Sequence, residues 1–155
     1  MNTMKNIPLL AALILTLSSC GKDAVDMEYP EIDIAYGGAF PVQCAVITRG
    51  EAFVFKARFT DNTALGSFGV DIHDNFAQHS HSTELQRCVM EDKKEAVNPF
   101  VYIRSFDIPG DQRMYEAEVE INVPADVDPG DYHLMIRVTD REGWQTMRGL
   151  SIKVQ

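Results

Sequence analysis

The sequence predicts an all-β domain over residues 31–155, built as an antiparallel β-sandwich of about seven strands. Three observations favour this fold class. Short runs alternate apolar with polar side chains, turn-forming residues separate the runs, and no stretch from residue 31 onward has a convincing helical period.

Five segments carry the alternating pattern: 51–61, 67–73, 114–124, 131–140 and 146–155. Alternate side chains of a strand point to the same side of a sheet, so each segment has one apolar face for the core. In the first three segments the apolar faces consist of Phe53, Phe55, Ala57 and Phe59; Phe68, Val70 and Ile72; and Tyr115, Ala117, Val119, Ile121 and Val123.

The segment 128–134, DPGDYHL, resembles the tyrosine corner of immunoglobulin-like domains, in which a tyrosine hydroxyl bonds back to the main chain. A plain Pro-Gly turn before a hairpin strand is the alternative. If the corner forms, Tyr132 and Leu134 face the core and His133 faces outward. Segment 67–73 then lies beside this strand, with Asp71 and His73 facing outward on the same sheet.

The first nineteen residues predict a lipoprotein signal peptide. Lys5 gives a positive start, an apolar run follows, and Leu17-Ser18-Ser19-Cys20 resembles the lipobox that precedes a lipidated cysteine in bacterial lipoproteins. The apolar run is shorter than the roughly 20 residues that span a bilayer. An ordinary signal with a chance cysteine at its end is the alternative. We expect a palmitate-type lipid on Cys20 to anchor the chain to the outer membrane of the cell envelope.

Residues 20–30 predict a flexible tether between that lipid and the domain. The Lys22-Asp23 pair loosely resembles the export signals of surface lipoproteins, which favours the surface over the periplasmic face. After cleavage, 13 basic and 23 acidic side chains remain, a formal charge of −10, because Lys5 is removed with the signal. This charge excludes nucleic acid as a partner and leaves membrane contact to the lipid.

The cleaved chain retains two further cysteines, Cys44 and Cys88. Exported proteins meet an oxidising compartment, so we expect a disulfide between them. A pair of free thiols that binds metal is the alternative, although the spacing matches no known motif.

Four histidines give the strongest indication of a binding site. His73, His79 and His81 lie within nine residues, and the predicted strand pairing brings His133 close to them. Imidazole is a common ligand of transition metals, so we predict that these residues and Asp71 hold zinc, copper or nickel. A loop that binds without metal and a merely solvated cluster are the alternatives. Further carboxylates that lie near the cluster in the sequence belong to Asp74 and Glu84.

Other patterns give weaker indications. Strand-end acidic and amide residues suggest calcium, but they are more often turn formers and lack a DxDxD spacing. These residues are Asp61, Asn62, Asp126, Asp128 and Asp140. An exposed Trp144 would suit stacking on a sugar, but a lone tryptophan at a strand start more often packs against the sheet edge. No nucleophile elbow, phosphate loop or HExxH motif is present, so we expect no enzyme.

Several of these segments together resemble a family of uncharacterised Bacteroidota lipoproteins that carries a domain of unknown function with an immunoglobulin-like fold. The resemblance rests on the lipobox, residues 49–82, Cys88, Asn98-Pro99 and residues 130–144. Its most distinctive block is present as Asp71, Ile72, His73, Asn75, Phe76, His79 and His81. The resemblance implies no activity. Relatives often have an acidic residue or histidine where this chain has Ala77 and Gln78.

Three hypotheses for function follow from the sequence. The first is a metal-binding lipoprotein module that uses the histidines. The second is an adhesion module that recognises a glycan or protein without metal, and the third is a structural subunit of an envelope complex. An immunoglobulin-like fold does not separate them, because such folds host many unrelated functions.

Overall fold

The computed structural model describes residues 25–79 and 88–155. Within these ranges the chain forms eight strands and no helix. The strands are β1 (Glu31–Asp33), β2 (Val46–Ile47), β3 (Ala52–Thr60), β4 (Leu65–Asp74), β5 (Tyr102–Asp107), β6 (Met114–Asn122), β7 (Gly130–Asp140) and β8 (Gln145–Val154). The described residues therefore confirm the predicted all-β class.

The strands form two sheets that enclose one core. A three-stranded sheet has the order β1-β3-β6, and a five-stranded sheet has the order β2-β8-β7-β4-β5. All pairings are antiparallel except that of β2 with β8, which is parallel. The predicted neighbourhood of segments 67–73 and 131–140 is confirmed, because β4 pairs with β7.

The inward faces of the strands are those predicted from alternation. In β3, Phe55 and Phe59 are fully buried, and in β4, Val70 and Ile72 are too. Burial of each such side chain contributes about 1.5–3 kcal/mol, so two sheets with these faces must stack to hide them. In β6 the buried positions Ala117 and Ile121 alternate with exposed glutamates.

The tyrosine corner is present. The buried Tyr132 hydroxyl donates to the Asp128 carbonyl oxygen at 2.6 Å and accepts from the Phe100 backbone N–H at 3.1 Å. The turn before it needs glycine, because Gly130 has φ 133° and a Cβ there would lie 2.9 Å from the Phe76 ring. The corner fixes the register of β7, so Leu134 and its inward neighbours are buried as predicted.

His133 on β7 faces away from the core, as the parity predicted, because it alternates with the core-facing Tyr132 and Leu134. It is nevertheless only 1% exposed, which the sequence did not indicate. The segment after β4 then folds over it, and the His79 carbonyl oxygen lies 3.3 Å from its Nε2.

The predicted disulfide between Cys44 and Cys88 is present. Further contacts hold the segment that begins at Cys88 on the five-stranded sheet. The Glu91 backbone N–H donates to Asp131 on β7, and the Glu91 carboxylate pairs with Lys153 on β8. The connection from β4 to β5 is therefore fixed to the sheet after residue 88.

The last residues of the predicted tether contact the domain. Asp26 is 8% exposed and accepts a hydrogen bond from the Asn62 side chain, and the ring of Tyr29 packs edge-on against Trp144. The predicted signal peptide and Cys20 lie outside the described residues. In the described part of the chain, no helix has the length and apolar character needed to cross a membrane.

Candidate functional site

The centre of the candidate site is a pair of histidines on neighbouring strands. His73 on β4 lies directly opposite His133 on β7 in the antiparallel register. Side chains at opposed positions point to the same face of a sheet, here the face away from the core. The ring centroids of the two residues are 5.6 Å apart.

A turn after β4 brings a third histidine to this pair. Gln78 adopts a left-handed conformation with φ 57°, and its backbone N–H donates to the Asn75 carbonyl oxygen. The buried ring of Phe76 holds the turn against Tyr132, and the Gln78 side-chain amide donates to the Glu91 carbonyl oxygen. As a result, the chain reverses and His79 lies over the sheet.

The three rings lie close to one another. The centroid of His79 is 4.8 Å from that of His133 and 5.8 Å from that of His73. Two imidazoles bound to one tetrahedral ion at about 2.1 Å have centroids roughly 5 Å apart. The spacing of the rings therefore suits a shared ion.

The ring nitrogens, however, are not gathered around one point. The His73 and His79 rings are stacked with an interplanar angle of 7°. Among the described residues, the group that brings one ligand atom from each of three side chains within 4.8 Å consists of three aspartates and no histidine. Coordination by all three histidines thus requires at least one ring to turn. His79 is exposed, so its ring has room to do so.

Asp71 has the position of a supporting residue. Its Oδ1 lies 2.8 Å from His73 Nδ1, two positions away on the same face of β4. A carboxylate on one ring nitrogen fixes the imidazole orientation and leaves the other nitrogen for a metal. Asp71 was predicted as a metal ligand, and in the structure its carboxylate contacts the His73 ring.

Of the remaining predicted residues, Asp74 is described and does not join this group. Asp74 follows His73 and lies on the opposite side of β4 by alternation, beside an open cavity that Phe76 also lines. His81 and Glu84 lie outside the described residues.

Two weaker sequence indications now have structural explanations. Asp128 Oδ2 accepts the backbone N–H groups of Val97 and Asn98, and these bonds lower the pKa of its carboxyl group. The Asp128 side chain therefore holds a distant loop at Val97 and Asn98, and this contact is not the local turn that the sequence favoured. Trp144 is half-buried, and its indole N–H donates to the Asp26 carbonyl oxygen at 3.0 Å. Its polar edge is thus used inside the molecule.

Sequence analysis did not predict that Asp26 is buried in the folded domain. It sits in the polar stretch assigned to the tether, where acidic residues are ordinary. In the structure its side chain is buried near Asp61 and Asp140. The only sequence signal was an aspartate next to the start of the domain, and that signal is too common to identify a site.

Comparisons with known proteins give a family but no activity. The family model described as domain of unknown function (DUF4625) matches residues 18–155. None of the curated proteins compared with the chain matches it.

Three solved structures are similar to the chain at low identity. The GspB Siglec domain has a TM-score of 0.43 and 19% identity, over 84% of this chain and 59% of that one. Spo0M, a sporulation control protein from Bacillus subtilis, has a TM-score of 0.44 and 9% identity, over 83% and 50%. A family 123 glycoside hydrolase from Clostridium perfringens has a TM-score of 0.44 and 15% identity, over 74% and 22%. The chain spans less than two thirds of each of these proteins.

Proposed function

Because the chain belongs to this family of unknown function, we propose its role from its own residues: it is a lipid-anchored envelope protein whose β-sandwich binds a transition metal. The observation that carries the proposal is the approach of His73, His79 and His133 from two strands and one turn. Imidazole ligands on rigid strands are typical of sites for zinc or copper.

The chemistry of the cluster favours a borderline or soft ion over a hard one. Its donors are nitrogen atoms, and Asp71 acts on the His73 ring. His81, two residues after His79, supplies a fourth imidazole in this proposal. Four nitrogen donors would complete a tetrahedral shell, which suits binding or delivery of zinc better than catalysis at an open position.

Metal binding is tested by thermal unfolding of the full-length chain, purified in detergent and stripped of metal. Zinc at a hundredfold excess over its Kd stabilises the folded state by about 2.7 kcal/mol. We expect a rise of several degrees in Tm, and isothermal titration should give one zinc per chain. Copper is tested in parallel.

Variants separate the cluster from non-specific binding. The double change His79→Ala with His81→Ala should abolish the zinc-dependent rise in Tm. The matched control is Asp92→Ala, which removes an exposed carboxylate from the same connection and should leave the rise unchanged. An equal rise in wild type and the double variant contradicts the proposal, as does no rise with either metal.

The anchor requires a separate test. Cells that express the full chain are fed an alkyne analogue of palmitate, and the purified protein is examined for the label. We expect label on wild type and on Cys88→Ser, and none on Cys20→Ser. An unlabelled wild type, or a labelled Cys20→Ser variant, contradicts lipidation at Cys20.

A further inference from the structure

A second group of ionisable side chains lies at the other end of the sandwich. Asp26 precedes β1, Asp61 follows β3, and Asp140 ends β7. One ligand atom from each lies within 4.8 Å of those from the other two. Asp140 is seven residues from His133 along β7, which separates the two groups by about 24 Å. The two sites are therefore independent.

Each aspartate uses one carboxylate oxygen to hold a local turn or contact. Asp26 Oδ1 accepts from the Glu28 N–H and the Asn62 amide. Asp61 Oδ2 accepts from the backbone N–H groups of Thr63 and Ala64. Asp140 Oδ1 accepts from those of Gly143 and Trp144 at the turn into β8. These bonds fix the three carboxylates in place.

The second oxygen of each aspartate is buried without a partner. Asp26 Oδ2, Asp61 Oδ1 and Asp140 Oδ2 accept no hydrogen bond within the described part of the chain. Asp26 is 8% exposed and Asp140 only 4%. Buried carboxylate oxygens are normally hydrogen-bonded or bound to a cation, so an orphaned oxygen on each of three neighbouring carboxylates points to a missing ligand.

The charges of this group also lack compensation. No basic side chain of the described residues forms an ion pair with any of the three. The Glu28 N–H and the Asn62 amide lower the pKa of Asp26, which keeps its carboxyl group ionised at neutral pH. Like charges at this separation repel, and a divalent cation between them removes the repulsion.

We propose that Asp26, Asp61 and Asp140 bind a calcium ion that clamps the N-terminal segment to the ends of β3 and β7. The donors are all oxygen, which calcium prefers. At a Ca–O distance of about 2.4 Å, two oxygens up to about 4.8 Å apart can share one ion. Magnesium needs shorter distances, near 2.1 Å, and a stricter octahedron. Water would supply the remaining oxygen ligands.

The clamp would give the tether a defined end. Asp26 lies six residues after Cys20, the predicted lipid attachment site, so an ion at Asp26 shortens the free chain between membrane and domain. Trp144 strengthens the same junction, because its indole N–H donates to the Asp26 carbonyl oxygen. This consequence rests on the proposed lipid anchor, whereas the calcium site itself does not.

Terbium luminescence provides a direct test, since Tb³⁺ replaces Ca²⁺ and is excited by a nearby indole. Trp144 is the only tryptophan of the sequence, and it contacts Asp26. The full-length chain in detergent, freed of metal, should show sensitised terbium emission that added calcium removes. The calcium Kd obtained from this competition, after correction for bound terbium, is expected at about 10⁻⁴–10⁻³ M, the range of extracellular calcium modules. Absence of emission, or emission that resists calcium, overturns the proposal.

Substitutions identify the ligands and separate binding from folding. Asp61→Asn keeps an oxygen for the turn but removes one charge, so it should lose at least tenfold in calcium affinity while raising Tm without calcium. Asp140→Asn should behave in the same way. The matched control Asp126→Asn alters an exposed aspartate outside the group and should keep wild-type affinity.

Three outcomes would count against the calcium clamp. One is equal calcium affinity in Asp61→Asn and Asp126→Asn, and another is an equal response to magnesium. The third is a lower Tm for both asparagine variants in metal-free buffer with no calcium-dependent rise in wild type. None of these depends on zinc, so the histidine proposal stands or fails separately.

Discussion

Replacement of Tyr132 by phenylalanine tests the tyrosine corner, on which the position of His133 depends. The hydroxyl donates to the Asp128 carbonyl oxygen and accepts from the Phe100 backbone N–H, and the side chain is 1% exposed. Tyr132→Phe keeps the ring in the core and removes both bonds. It also leaves the Phe100 N–H buried without a partner.

The expected loss follows from these contacts. A buried hydrogen bond contributes about 0.5–1.5 kcal/mol, and an orphaned buried donor costs roughly 1–3 kcal/mol. We expect the free energy of unfolding to fall by about 2–3 kcal/mol. For a domain of this size, that loss lowers Tm by roughly 6–12 °C.

The assay is urea unfolding of the full-length chain followed by tryptophan fluorescence, with a thermal melt beside it. The matched control is Tyr115→Phe, because Tyr115 is only partly buried and no described residue hydrogen-bonds its hydroxyl. The control should change the free energy by less than about 0.5 kcal/mol. Equal effects of the two substitutions would refute the assigned role of the Tyr132 hydroxyl.

Three further predictions concern stability. Replacing Cys44 and Cys88 by alanine should lower the unfolding free energy by up to about 4 kcal/mol, measured in urea, and an unchanged midpoint would contradict this. Two backbone N–H groups lower the Asp128 pKa, so the folding stability that its carboxylate contributes is fully present above the ordinary pKa of 3.8 and is lost as pH falls through the lower folded pKa. Acid unfolding of Asp128→Asn should lack this pH-dependent loss. Identical acid-unfolding profiles of wild type and variant would refute the prediction. Gly66→Ala places a Cβ 2.6 Å from a β7 carbonyl oxygen and should cost about 1–3 kcal/mol, whereas Gly69→Ala, with 3.5 Å, should cost less; the reverse order would be contrary evidence.

Much of the fold could be predicted because its determinants are local. Alternation identified the core faces of β3, β4 and β6, since burial enforces a period of two. The segment 128–134 identified the tyrosine corner, and the corner then set the parity of β7. The strand order of immunoglobulin-like domains, which the corner suggested, predicted the pairing of β4 with β7, and this pairing places His73 beside His133.

The candidate sites were less predictable because they depend on chain reversals and distant segments. His133 was expected to face outward, and it does, but its burial was not expected: the left-handed turn at Gln78 brings His79 over it. Asp26 was placed in a tether by composition, although it is buried against strand ends far from it in sequence. Sequence analysis did name Asp61 and Asp140 among weak calcium candidates, but the pattern along the chain could not show that Asp26 meets them after folding.

The central claim, that the histidine cluster binds a transition metal, is tested most directly by a crystal structure of the zinc-loaded protein with data collected at the zinc absorption edge. We predict one anomalous peak about 2.1 Å from ring nitrogens of at least three among His73, His79, His81 and His133, with the His79 ring turned from its stacked position. No peak at the cluster, with zinc bound elsewhere or not at all, would contradict the claim.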